Sequence, residues 1–357
     1  MATNEYKSPI AIHPGESLRE ILEDENISQK SLATRTGLTP ETISRIINGK
    51  LPITQETALK LERVLGVSRD YWMNFQNKYD STLARIEETK RLEEEVSMLE
   101  KFTCYTELAK MGFVETTRNK VEKVKELLRF YGVDSLKLVQ TANQVAYRKS
   151  SKMKINPESL TAWLRMGEIQ SKEIEVEEFD PKKLKEKIPE MRALTNQRAE
   201  VFSEKLKEIC AECGVILVYT PNLKNVPVNG ATRRIFQGKP LIQMSLRNSY
   251  SDIFWFTFFH EIGHLQLHGK KDFFIDMEGQ KESEIEKEAD NFSQEVLIPK
   301  KQFTSFMEER GYLNKNSILR FAEQINIHPG IIAGRIARET GDWRKYSPLR
   351  SRLKFVK

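Results

Sequence analysis

Two histidines four residues apart, with a glutamate directly after the first, are the residues of this 357-residue chain best suited by type and spacing to do chemistry: His260-Glu261-Ile262-Gly263-His264. On a helix, positions i and i+4 share a face, so both imidazoles reach one point and can hold one metal ion there. Glu261 then points to where a water beside that ion would lie, and a carboxylate in that place takes its proton. The flanking sequence agrees. Ile253-Phe254-Trp255-Phe256-Thr257-Phe258-Phe259 runs straight into the motif, and Leu265 and Leu267 follow it. A helix apolar nearly all round is a buried helix, and histidines and glutamates inside one are costly unless paired or bound. Gly263 costs roughly 1 kcal/mol against Ala in a helix; its use would be close packing beside the metal.

A third ligand is expected on a second helix, and the run Glu282-Ser283-Glu284-Ile285-Glu286-Lys287-Glu288-Ala289-Asp290 offers it. H-E-x-x-H is the pattern of zinc hydrolases, and the downstream run resembles the E-x-x-A-D of the glutamate-ligated zincins, which fits Glu286, Ala289 and Asp290. That resemblance implies that Glu286 binds zinc, that Ala289 lets the two helices approach, and that Asp290 accepts the free N–H of a ligand histidine and fixes its tautomer. Glu284 and Glu288 compete for the third place; Glu286 is favoured because Asp290 lies at its i+4 position.

The elements around this centre must fit the bulk properties of the chain. It has room for two or three domains, and 39% hydrophobic with 30% charged residues is ordinary for a globular protein with a sizeable core. No apolar run approaches the roughly 18–20 residues that span a bilayer, and Met1 to Lys7 has no apolar signal core, so no membrane partner is expected. Cys104, Cys210 and Cys213, the only three cysteines, do not make a disulfide framework; a reducing, cytoplasmic setting follows. Cys210 and Cys213 form a C-x-x-C without a second pair, which reads as small apolar residues at a helix end rather than a redox pair. The net charge of +6 is matched by the tail from Arg335 to Lys357, where eight basic residues face only Glu339 and Asp342. Such a tail touches nucleic acid or forms a solvated surface.

The chain opens on short helices. Pro14 to Asp24 is the first, with Leu18, Ile21 and Leu22 inward. Ser28 caps Gln29 to Thr36, Gly37 turns, and Thr39 caps a third helix that begins at Pro40 and ends at Asn48-Gly49-Lys50. Thr54 to Leu65 and Ser68 to Asn77 supply two more. Two short helices joined by a glycine turn make a helix-turn-helix. Ile12 to Tyr79 resembles the lambda-repressor/Cro-like (XRE) DNA-binding domains, most of all the HigA type of antitoxin, through His13-Pro14-Gly15-Glu16, Ser28-Gln29, Gly37-Leu38-Thr39, Ile43 to Gly49 and Leu65-Gly66-Val67-Ser68. The resemblance implies that the third helix enters the major groove. Thr39, Glu41, Thr42 and Arg45 would then meet bases or phosphates, and Gln29 and Lys30 the backbone. Ten basic and eleven acidic residues from Met1 to Asp80 give no phosphate-driven patch, so dimerisation and directed contacts must supply the affinity.

Ser81 to Phe102 reads as a charged helix, a coiled-coil spacer or solvated linker, and Cys104 to Glu200 as mostly helical packing. Val215 to Tyr219 is a strand, and Gly230 to Leu246 a hairpin turning at Gln237-Gly238-Lys239. An edge strand over the cleft would hold an extended peptide by strand addition. From Gly214 to about Leu353 the chain resembles the ImmA/IrrE metallopeptidases, through Gly230, Ile242 to Arg247, Phe254 to Thr257, His260 to His264, Glu286 to Phe292, Leu297-Ile298-Pro299 and His328 to Arg335.

The expected fold is α+β and mostly helical: residues 1–80 a five-helix helix-turn-helix domain, 81–200 a helical linker, and 201–357 a zincin-like domain with a small sheet and a basic tail. The implied function is a DNA-binding transcription regulator whose zinc endopeptidase, with His260, His264 and Glu286 as ligands and Glu261 as base, cleaves a regulatory protein or itself. The alternative is a HigA-like antitoxin and autorepressor whose metal domain serves to bind a toxin. Double-stranded operator DNA, a protein substrate or toxin, Zn2+ and a homodimer are the expected partners. His328 and Tyr250 are the residues in reach of an oxyanion role, with a structural role expected for both.

Overall fold

The computed structural model describes residues 8–142, 155–247, 249–268, 273–277 and 284–354. Met1 to Lys7, Glu282, Ser283, Lys357 and residues 143–154 of the expected helical stretch lie outside the described residues. The chain is mostly helical and divides into two compact units, Met1–Ser97 with Asn119–Lys125, and Met98–Arg118 with Glu126–Lys357. Among the described residues, no helix is long and apolar enough to cross a membrane.

The first unit is built from α1 (Pro14–Asp24), α2 (Gln29–Thr36), α3 (Pro40–Ile47), α4 (Gln55–Leu65) and α5 (Arg69–Glu95). Side chains start each of α2 to α5: Ser28, Thr39, Thr54 and Ser68 each accept the backbone N–H three residues on, one of the orphan donors of a helix start. Gly37 and Gly66 end α2 and α4 at φ 69° and 70°, the left-handed conformation glycine adopts without strain. Leu18, Leu32, Ile43, Ile46, Leu61 and Trp72 are fully buried and form the core.

One expectation fails here. The separate helices Ser68–Asn77 and Ser81–Phe102 are a single helix, α5, continued by a 3-10 turn from Val96 to Lys101. No Pro or Gly lies between Asn77 and Ser81. Ser81 does not cap; its hydroxyl bonds back to the Asn77 carbonyl at 2.7 Å, the habit of a serine inside a helix. Gln76 fastens the first third of α5, accepting from Ile53 N–H at 2.9 Å and donating to Asp80 at 2.9 Å.

The second unit continues with α6 (Tyr105–Lys110), α7 (Lys120–Tyr131, whose start belongs to the first unit), α8 (Leu138–Ala142), α9 (Pro157–Ser171), α10 (Pro181–Ala193) and α11 (Ala199–Glu212). Then come β1 (Ile216–Tyr219), β2 (Val228–Ile235), β3 (Lys239–Met244), α12 (Ser251–His268), β4 (Phe273–Met277), α13 (Glu284–Leu297), α14 (Lys300–Glu308), α15 (Lys315–Gln324), α16 (Pro329–Thr340) and α17 (Trp343–Tyr346). The sheet runs β1-β3-β2-β4, with β1 parallel to β3 and the β2–β3 and β2–β4 pairs antiparallel. The hairpin turns at Phe236–Gly238. The short strand β4 was not expected from the sequence.

Alternation along the strands gives the sheet two faces. Leu217, Ile242 and Met244 join the core beneath α12. The opposite face carries Gln243, Leu241 and Arg233 and is covered by α9, whose Asn156 cap accepts from Ser159 N–H. Arg233 is buried there. It donates to Glu168 at 2.7 Å and to the Leu164 carbonyl, while Gln243 donates to the Trp163 carbonyl at 2.6 Å. Gly167 is required because a Cβ would stand 2.2 Å from the Gln243 side chain.

The tripeptide His-Pro-Gly serves twice as a helix start. His13 Nδ1 accepts from Gly15 N–H at 2.9 Å, and His328 Nδ1 from Gly330 N–H at 3.0 Å. A Cβ on Gly15 would lie 1.9 Å from the Ile46 carbonyl oxygen. Gly15→Ala is therefore expected to destabilise the first unit by about 1–3 kcal/mol through overpacking, read as a lower urea midpoint. The basic tail is partly built into the fold rather than solvated: Arg350 pairs with buried Asp252 at 2.9 Å and lies over Tyr250, and Arg335 donates to the Ile298 carbonyl and lies over Phe303.

Candidate functional site

Helix α12 carries His260, Glu261 and His264, all buried. Helix α13 packs against it with Ala289 fully buried, and a Cβ on Gly263 would come within 3.3 Å of Ala289 Cα and 3.1 Å of Phe292. The two small residues set the spacing of the helices, and that spacing brings Glu286 to the imidazoles. His260 Nε2 and His264 Nε2 are 3.0 Å apart, and Glu286 Oε2 lies 3.2 Å from the first and 3.4 Å from the second. Within the described residues this is the one group of three or more such side chains able to hold a metal ion.

Those edges suit a divalent ion. Bonds of roughly 2.0–2.1 Å to a tetrahedral centre require ligand atoms about 3.3–3.4 Å apart. His260 Nδ1 and Asp290 Oδ1 are 2.8 Å apart; with Nδ1–H donating to the carboxylate, the Nε2 lone pair faces the other donors. Burial holds the His264 imidazole below its usual pKa, opposed by Glu286. The neutral ring, the form that coordinates a metal, is therefore favoured near pH 7.

The competing glutamates point elsewhere. Glu288 lies 3.5 Å from His268, and exposed Glu284 pairs with Lys287 at 3.0 Å. Glu261 is fully buried against β2: a Cβ on Gly230 would stand 2.7 Å from Glu261 Oε1 and 2.7 Å from Thr257 Cγ2. Gly230 is thus the gap into which the Glu261 side chain fits. In the sequence Gly230 and Thr257 stand out only as members of a pattern and Arg338 only as one basic residue of the tail; Arg338 lies 3.9 Å from Asp290 and over the Phe256 ring. His328 caps α16 and Tyr250 meets Arg352, structural tasks for both. Cys210 and Cys213 are buried free thiols.

In the first unit, α2 and α3 meet at the Gly37 turn. Gln29, Lys30, Thr39, Glu41 and Arg45 are exposed and Thr42 is half-buried. The Thr39 hydroxyl is engaged as the α3 cap, so its part at a surface would be shared with that duty.

The helix-turn-helix family model matches residues 18–72. The Escherichia coli (strain K12) protein named Uncharacterized HTH-type transcriptional regulator YddM is 38% identical over 76 residues, 21% of this chain and 79% of that protein. The chain belongs to the helix-turn-helix family. This helix-turn-helix protein is also 36% identical over 75 residues to Antitoxin HigA-1 of Vibrio cholerae, across 21% of this chain and 69% of that one. A solved structure, Pseudomonas aeruginosa antitoxin HigA with higBA promoter, matches at 33% identity and a TM-score of 0.23, covering 24% of this chain and 95% of that one. The second half is a different module: the IrrE N-terminal-like domain model matches residues 229–336, a span that holds Gly230, the H-E-x-x-H pair, Glu286 and Asp290.

Proposed function

We propose that this helix-turn-helix protein is a DNA-binding transcription regulator whose IrrE N-terminal-like domain is a zinc endopeptidase of the gluzincin type. It would cleave a regulatory protein or itself. The observation that carries the reading is the triangle of His260, His264 and Glu286, with edges of 3.0–3.4 Å, and buried Glu261 beside it.

His260, His264 and Glu286 would hold the ion, and two imidazoles with one carboxylate suit zinc. The chemistry a bound zinc supplies is Lewis acidity, which makes a water acidic near neutral pH and polarises a carbonyl. Glu261 accepts the proton of the attacking water and returns it to the leaving amine. Asp290 keeps His260 in one tautomer and orientation. Burial of Glu261 and both rings keeps bulk water from competing for these groups.

The DNA reading rests on the helix-turn-helix identity and on the exposed openings of α2 and α3. Arg45, Glu41, Thr39 and Thr42 are the base-side residues, and Gln29 and Lys30 the phosphate-side pair. A homodimer reading a two-fold operator in the cytoplasm is the working form. Functionally we divide the chain into a reader (1–80), a helical connector (81–200) and the hydrolase (201–357), with α9 of the connector supplying the rear layer of the sheet.

The test is a titration of the full chain against the DNA upstream of its own reading frame. Arg45→Ala is expected to weaken specific binding by about 1–3 kcal/mol, read as a shift in gel mobility or anisotropy. Wild-type protein that binds this DNA no better than an unrelated sequence would contradict the regulator reading for this operator. The 36% identity to Antitoxin HigA-1 favours one second reading: an antitoxin-like autorepressor whose metal domain binds a toxin.

A further inference from the structure

Helix α13 has two working faces. Glu286 and Ala289 face α12 and the metal triangle. The outward face forms one wall of a groove of about 1130 Å³, completed by α14, the end of α12 and the end of α16. The floor of this groove is apolar: Phe303 is buried, Phe292 and Met307 are half-buried, and Leu267 is 50% exposed. Contiguous apolar surface rimmed by polar residues marks an interaction site.

The rim is acidic. Glu288 and Glu295 of α13, Glu308 at the end of α14 and Glu339 near the end of α16 are all exposed. Among the described residues two cations line the groove, and one is turned inward: Arg335 donates to the Ile298 carbonyl at 2.7 Å and lies over the Phe303 ring. Lys300 is the exposed one. This acidic rim stands out on a chain whose net charge is +6. Glu288 and Glu295, seven positions apart, repeat after two helical turns, about 10 Å along α13. The groove also opens toward the metal centre. Glu288 lies 3.5 Å from His268, one turn beyond His264, and Gln294, Arg335 and Glu339 line both this groove and the cleft next to the triangle.

We propose that this groove is the docking site for an amphipathic helix of a partner protein, one with an apolar stripe flanked by Lys or Arg. Apolar side chains at helical spacing cover Leu267, Phe292 and Met307, the way a helix seats in a groove. Cations on either side of the stripe meet Glu288 and Glu295 along one wall and Glu308 and Glu339 along the others; complementary charge of this kind fixes partner and register. A partner helix suits walls that are themselves helices, with carboxylates at helical spacing. With that helix seated, the chain that follows it enters the cleft next to the triangle, so the groove selects which polypeptide is cut. This last step rests on the endopeptidase reading; the docking does not.

The probes are three dye-labelled, end-blocked, Ala-based peptides of about 14 residues, long enough for partial helix in water. One carries a Leu stripe flanked by Lys. The second has Glu in place of each Lys. The third has the composition of the first, scrambled so that no stripe forms. Each is titrated into the full-length Glu261→Gln protein, so that it stays intact, and binding is read by fluorescence anisotropy.

The cationic striped peptide is expected to bind about tenfold or more tighter than either control, and to weaken as salt screens the rim. Glu308→Lys combined with Glu339→Lys should erase that preference and favour the anionic peptide. Leu267→Asn should weaken the striped peptide and leave the scrambled one unchanged; its side chain is half exposed, so it keeps the test open if the charge reversals harm folding. Equal affinity for all three peptides, or a preference untouched by these variants, overturns the proposal. So does self-association of the full chain that the charge reversals abolish while no peptide binds, which assigns the groove to a second copy. Preference in a protein whose wild type cleaves nothing leaves the groove standing and removes the endopeptidase; cleavage by wild type without preference among the peptides does the reverse.

Discussion

Glu261→Gln is expected to lower peptide cleavage by about two to four orders of magnitude, the scale of a lost general base, and to leave zinc content and DNA binding as in wild type. The amide is nearly isosteric with the carboxylate. It fits the same space against Gly230, where a Cβ would come within 2.7 Å of Oε1, yet it has no basic lone pair for a water proton. The measurement is the count of new N-termini released from a complex peptide mixture, by mass spectrometry, for variant against wild type. Equal release by both would take Glu261 out of the chemistry. The same variant separates the two functional readings in a cell: a regulator that works by cleavage fails with Glu261→Gln, while an antitoxin-like binder regulates as before.

The second large effect falls far from the triangle in sequence. Glu168→Leu is expected to destabilise the second unit by about 3 kcal/mol, the lower end of the cost of stripping one partner from a buried ion pair, because Glu168 itself is 24% exposed. Arg233 is 5% exposed and its Nη1 lies 2.7 Å from Glu168 Oε1; Glu168 also holds Arg165 at 2.6 Å. Leucine keeps much of the volume and removes the charge, leaving a guanidinium shut inside between α9 and the sheet. Burial already pulls the Arg233 pKa downward against the support of Glu168. In a urea titration of the full chain followed by circular dichroism, the transition of the second unit should move to lower urea while that of the first stays put. An unmoved transition would mean that α9 does not hold the rear face of the sheet.

How much of this was legible in the sequence depends on the range of each interaction. The caps Ser28, Thr39, Thr54 and Ser68 act within three residues, so the helices they start could be read directly. The H-E-x-x-H pair is also local, set by one helical turn. The third donor is half local: Glu284, Glu286 and Glu288 lie two residues apart, so neighbours in that set fall on nearly opposite sides of a helix. Helical phase narrows the choice, but which side faces α12 depends on packing of Gly263 against Ala289. The continuity of α5 was misread because polar residues around Asn77 resemble a boundary, although no breaker is present. Strand β4 escaped notice because five residues carry too little pattern. The layer formed by α9 was invisible because Glu168 meets Arg233 across 65 positions, and Trp163 gives no hint of which face it covers. A cleft beside the triangle, lined by Asn229, Thr257, Asp290 and Arg338 among others, joins β2, α12, α13 and α16, and no local spacing announces it.

The central claim is that two imidazoles and one carboxylate grip a single ion, and elemental analysis of the purified full chain tests it most directly. The account predicts about one zinc per chain in wild type and next to none in His264→Ala or Glu286→Ala. It also predicts a metal affinity about 10–100-fold weaker in Asp290→Asn, the range for losing a partner of a metal-ligating histidine. Wild-type protein that takes up no divalent metal when it is offered, or a His264→Ala protein that keeps its full equivalent, would contradict the account.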